Sequence, residues 1–133
     1  MSRSGYSEEC DGWEIVRWRG AVASAIGGQR DQAMLRDLLT ALDAMPVKRL
    51  IAHTLEAGGE VCTLGCLAMA RGIPVAAIGS NNERLAAALG VSKALVKEIE
   101  FENEEAASWN ETPENRWHRM RAWVALQIKD GAA

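Results

Sequence analysis

The stretch GGEVCTLGCLAMARGIP, residues 58–74, sets Cys62 and Cys66 one helical turn apart, and the chain has two histidines, His53 and His118, to act with them. Three chemistries are open to this set. A thiol in the first turn of a helix is made more acidic by the helix dipole, so Cys62 is a candidate nucleophile, with His53 or His118 as its base. The two thiols and two imidazoles together are the donor types of a zinc site. Alternatively the thiols only pack, since free cysteine is among the most buried residue types.

Spacing separates these options. His53, Cys62, Cys66 and His118 match no compact zinc pattern, and His53 falls on the flank of its predicted helix, so no metal is expected. Cluster-based radical chemistry needs a third nearby cysteine, and Cys10 is far off in sequence. Residues one turn apart on a helix have Cβ atoms about 5–6 Å apart, whereas a disulfide needs about 3.5–4.5 Å. The pair therefore should not bond within an intact helix. Apolar or small side chains (Val61, Leu64, Leu67, Ala68, Met69) surround the axis of residues 60–71, which is the mark of a helix at the centre of a domain. Gly65 would let another helix approach closely, at about 1 kcal/mol of helix propensity. Buried, packing thiols are the expected state, and Cys62 with His118 remains the catalytic candidate pair.

The elements around this helix are helical almost throughout. Asp11 serves as an N-cap for Ile15, Trp18, Val22 and Ile26, and Gly27-Gly28 ends that helix. A second helix opens near Asp31 with Leu35, Leu38, Leu42 and Met45 on one face. Pro46 suits the first turn of a third, with Val47, Leu50, Ile51, Thr54 and Leu55 inward, broken by Gly58-Gly59. Residues 73–78 read as either a short strand or an extended connector, because Pro74 disfavours helix before it. Ser80-Asn81-Asn82-Glu83 has the capping-box form and starts a helix to Leu89. Ser92 caps the next, which runs into the acidic stretch 98–105, and Thr112-Pro113 starts the last, with Trp117, Met120, Val124 and Ile128 as its stripe.

Composition narrows the class. The chain has 133 residues, 48% apolar and 25% charged, which suits one globular domain. Its formal net charge of −3 argues against binding nucleic acid by bulk charge. Apolar runs are too short to cross a membrane, the first residues contain no signal-type apolar region, and three cysteines make no disulfide framework. A reduced, cytoplasmic protein is expected.

Three resemblances add to this. The cysteine stretch is similar to the nucleophile helix of transglutaminase-like enzymes, which leads to Gly-Ile-Pro, here Gly72-Ile73-Pro74; the interval is more than a turn shorter, and no later His and Asp lie on predicted strands. NERLAAALGVSKALVKEIE, residues 82–100, resembles the helix-turn-helix of phage-type repressors. Ala86 takes the small position between helices, Gly90 the turn, and Val96 and Ile99 the inward positions. The resemblance implies Ser92, Lys93, Ala94 and Lys97 as groove-facing residues, although the carboxylates of residues 98–105 oppose a phosphate backbone. From about Trp18 to Ile128 the chain resembles a group of small proteins of proteobacteria and their phages. The marks are Cys62, Leu64-Gly65, Arg71-Gly72, Glu102-Asn103-Glu104 and Thr112-Pro113-Glu114. Related sequences tend to have alanine at Cys66 and Asp at Glu104. This implies a phage or prophage setting and no mechanism.

Basic and aromatic residues also interleave: Trp13, Arg17, Trp18 and Arg19 near one end, Arg116 to Trp123 near the other. Trp18 and Trp117 lie on apolar stripes. Trp109 and Trp123 do not and are the type of residue that anchors interfaces. The arginines are expected to form a solvated face paired with Glu102 to Glu105.

The sequence therefore predicts a mainly α, single-domain bundle of six or seven helices around a central buried helix at about 60–71. Residues 1–10 are expected to be a flexible N-terminus, 11–130 the domain and 131–133 a frayed tail. The leading function is a non-enzymatic, acidic accessory protein that binds a macromolecular partner, a host or phage protein. One form is an inhibitor presenting carboxylates to a nucleic-acid-binding site, with Glu98, Glu102, Glu104, Glu105, Trp109 and Trp123 as contacts. The alternative is a DNA-binding regulator through Ser92, Lys93, Ala94 and Lys97, and the third a cysteine enzyme. No cofactor, metal or membrane is expected, and self-association is left open.

Overall fold

The computed structural model describes residues 17, 20–22, 24–79, 81–105, 108 and 110–129. The expectations for Cys10, Asp11, Ile15, Trp18, Ser80, Trp109 and both chain ends, and for the Glu105 side chain, lie outside what is described. The chain is a mainly helical single domain. Described residues 17, 20–22 and 24–25 are helical and lead through a bend at 26–28 into α1, Gln29–Ala44. A two-residue hairpin follows, β1 Glu56–Ala57 and β2 Glu60–Val61. Then come α2 Thr63–Ala70, a short α3 Val75–Ile78, α4 Asn82–Leu89 and α5 Lys93–Glu100. A wide π-type turn, Phe101–Glu105, continues α5, and α6 Pro113–Gln127 closes the fold.

One core joins these elements. Met34, Leu35, Leu38 and Leu42 of α1 meet Leu64 and Leu67 of α2, Leu95 and Ile99 of α5, and Trp117, Met120 and Val124 of α6. Caps anticipated from side-chain chemistry are in place. Ser92 Oγ accepts from the Leu95 amide at 3.1 Å and Thr112 Oγ1 from Asn115 at 3.1 Å, with Pro113 opening α6. The cap of α4 is Asn81, through the Arg84 amide, one residue later than the capping box expected at Ser80. Gly90 ends α4 in the left-handed region at φ 71°, where the Val91 amide reaches back to Ala86 O.

Four expectations are corrected. Residues 46–57 form no helix. The Leu50 amide bonds Pro113 O and the Ile51 amide bonds Val61 O, partners far along the chain, and His53 has φ 74°, outside helical backbone. Gly58-Gly59 is the turn of a hairpin: both have positive φ, as the tight two-residue turn requires. The central helix is shorter than 60–71, because Glu60 and Val61 are β2 and Cys62 is the cap residue outside the first turn. Residues 75–78 are a short helix begun after Pro74 and not a strand.

Candidate functional site

Both sulfur atoms lie inside. Cys62 is 1% exposed and Cys66 5%. Cys62 has the extended backbone of an N-cap, and its Sγ accepts from the Gly65 amide at 3.4 Å, so the sulfur occupies the place of a capping oxygen. Burial, and secondarily the Cys62 sulfur, push the Cys66 thiol up to about 11. A thiol held that high is protonated at neutral pH and is a poor nucleophile. His118 stands exposed on α6 with its ring edge-on to Trp117, centroids 5.0 Å apart. Among the described residues no group of three His, Cys, Asp or Glu is arranged to hold a metal ion.

The neighbours of the cysteine helix explain why it is sealed. Gly65 faces the backbone carbonyl of Leu55, not another helix. The Cys62 amide donates to that same carbonyl at 3.1 Å. On the next residue, Thr63, the amide and hydroxyl both donate to the side-chain oxygen of Asn103, at 3.2 and 2.7 Å. Asn103 is 1% exposed and also donates from Nδ2 to Ile51 O at 3.1 Å. Its own carbonyl accepts from Arg116 Nε at 3.1 Å and from Arg119 Nη2 at 3.3 Å. Asn103 thus ties four chain segments together. In the sequence Asn103 stands out only as part of the Glu102-Asn103-Glu104 mark and as the one uncharged residue from Glu102 to Glu105; nothing local signals the buried network it makes.

The acidic run is not a solvated face. Glu98 is 4% exposed and Glu100 is also buried, because the end of α5 is covered on all sides: these two and Ile99 between them point in different directions and all are buried. Glu98 is therefore corrected as a partner contact: nothing outside the fold can reach it. Glu102 and Glu104 are half-buried, and a Glu104 carboxylate oxygen accepts from the His53 amide. The arginines are corrected too. Arg119 grips Glu111 with two nitrogens, at 2.6 and 3.0 Å, and donates to the Glu102 carbonyl at 2.6 Å. Arg116 adds Glu111 at 3.3 Å and Leu50 O at 3.0 Å. These two guanidiniums satisfy backbone carbonyls where α5 gives way to the wide turn. Trp123 is half-buried and packs on the core, so it is no free-standing anchor.

Residues 82–100 do form two packed helices joined at Gly90, with Ala86, Val96 and Ile99 buried between them. Lys93, Ala94 and Lys97 lie along the less buried side of α5. Ser92 is committed elsewhere: its hydroxyl donates to the buried Asp31 carboxylate at 2.9 Å while capping α5. Lys93 Nζ lies 3.3 Å from Glu83.

Concavities open on the surface, two of them lined by described residues alone. One, of about 330 Å³, lies between residues 53–56 and the α3 segment, lined by His53, Thr54, Leu55 and Glu56 on one side and Val75, Ala76 and Gly79 on the other. The other, of about 290 Å³, runs between residues 45–49 and the hairpin and is mostly apolar, with Val47 61% exposed. Neither is lined by a cysteine. The first could not be read from sequence, because its walls come from two segments about 20 residues apart that were assigned to the wrong element types. Comparison with protein-family models, curated proteins and solved structures found no match.

Proposed function

We propose that this chain is a non-enzymatic accessory protein that binds a protein partner, with the cleft between residues 53–56 and α3 as the contact and Glu104 bonded to its lining residue His53. The observation that carries the reading is the separation of reactive groups from open space. The thiols are interior, and Arg116, Arg119 and Asn103 are spent on joining segments. The cleft offers an imidazole, a hydroxyl, a carboxylate and an apolar wall, which are binding groups without a nucleophile and base in partnership. A phage or prophage setting rests on the sequence resemblance alone, and an inhibitory mode on the carboxylates of residues 98–105. The test is hydrogen exchange on the protein with whatever protein co-purifies from its native cell. Protection of residues 53–56 and 75–79 supports the reading; protection confined to other surfaces contradicts the site.

A DNA-binding regulator is the second reading, favoured by the exposure of one side of α5. Against it stand the engagement of Ser92 with Asp31 and the pairing of Lys93 with Glu83. A salt-dependent gel shift discriminates. Retardation of duplex DNA that fades in Lys93→Ala and Lys97→Ala would install the regulator; no retardation at low salt removes it.

A further inference from the structure

The chemistry of the cleft specifies its occupant more narrowly than the binding reading on which this inference rests. We infer that it receives a cationic side chain, arginine or lysine, of the partner protein.

The lining has a polar end and an apolar wall. Glu56 is exposed, and one of its carboxylate oxygens accepts from the Gly59 amide at 2.9 Å, which fixes the carboxylate and leaves its charge in place. The Glu104 carboxylate is not part of the lining but accepts from the backbone amide of the lining residue His53. Among the described residues no lysine or arginine lines the cleft. Across from these groups are Val75 and Ala76, with Leu55 at the back. An anionic ligand would meet carboxylate with no cation to receive it. A wholly apolar ligand would strand the carboxylate and imidazole against carbon, which costs desolvation without a bond in return. A long cationic side chain satisfies both ends, its methylenes on Val75 and Ala76 and its charged head on Glu56. About 330 Å³ is at the low end for ligand pockets, enough for one long side chain and tight for a nucleotide cofactor.

The probe is acetyl-arginine amide, titrated into the 133-residue chain and followed by amide chemical shifts. Acetyl-citrulline amide, the same shape without charge, and acetyl-glutamate amide are the comparisons. Arginine should move amides of residues 53–56 and 75–79 in a saturable way, with citrulline about fivefold weaker and glutamate inactive. Glu56→Gln keeps the acceptor for Gly59 and removes the charge, so it should weaken arginine binding about fivefold while the melting temperature holds. Equal binding of citrulline, or shifts absent from the cleft, would overturn the inference. The two readings fail separately. A partner protein that protects the cleft yet binds equally well to Glu56→Gln leaves protein binding standing and removes the cation. A partner that protects another surface removes the site itself.

Discussion

A side chain on Gly65 would begin 2.0 Å from the carbonyl oxygen of Leu55 and 3.1 Å from the Val61 Cβ. Helix α2 and the segment leading into β1 therefore touch backbone to backbone. Backbone cannot swing aside as a flexible side chain can. Gly65→Ala gains about 1 kcal/mol of helix propensity but loses about 3 kcal/mol or more to overpacking. Urea unfolding should show a net loss. An unchanged midpoint would mean that the two segments do not meet as described.

Asn103 predicts a different kind of loss. Asn103→Leu keeps the branched shape but strands the buried Thr63 amide and hydroxyl and the half-buried Ile51 carbonyl. The cost should be about 3 kcal/mol, from buried groups left without partners. Asn103→Asp should not rescue it, because the aspartate keeps an acceptor for Thr63, loses the donor to Ile51 and buries a charge. Equilibrium unfolding of both variants is the check. An aspartate variant as stable as the parent would contradict the network.

How much of this was legible depends on where each residue finds its partners. Ser92 and Thr112 were readable because a cap satisfies an amide three residues on. The α1 and α6 stripes were readable because helical period and core face coincide at Leu35, Leu38, Leu42, Trp117, Met120 and Val124. Residues 46–57 misled because Val47, Leu50, Ile51 and Leu55 have helical spacing, while the bonds of Leu50 and Ile51 go to Pro113 and Val61. Gly58-Gly59 was seen, but as a helix stop; the same pair is also a hairpin signal, and only the extended flanks decide between them. Glu98 misled because charge predicts solvent in general, and no local signal marked α5 as central. The cleft needed two such segments at once.

The arginines of α6 should divide sharply. Arg119→Ala removes donors to Glu111, which is largely buried, and to two backbone carbonyls, and should cost about 2 kcal/mol. Arg121 pairs with Asp43 in the open, and although its hydrogen bond holds the Asp43 carboxyl below the usual range, solvent screens the pair. Arg121→Ala should leave the melting temperature unchanged. Similar losses from both would show that the Glu111 cluster contributes nothing special.

Alkaline pH should destabilise the fold through Cys66. Burial raises its thiol from 9.0 to about 11 in the folded state, so the unfolded chain releases the proton first. The contribution is fully present below about pH 9 and is lost as pH rises toward 11. Comparing the pH dependence of unfolding in the parent and in Cys66→Ala isolates this group from lysine and tyrosine titration. The parent should have the steeper decline between pH 9 and 10.5; parallel curves would mean that the thiol is not desolvated.

The central claim is that the cysteine helix packs and does no chemistry. Its most direct measurement is the rate at which a small alkylating reagent labels Cys62 and Cys66 in the native protein at neutral pH, with urea-unfolded protein as reference. The account predicts native labelling slower by orders of magnitude and governed by opening of the fold, rising with urea as unfolding does. Rapid native labelling of Cys62, with a pH dependence showing a thiolate below pH 7, would contradict it and make the protein an enzyme candidate.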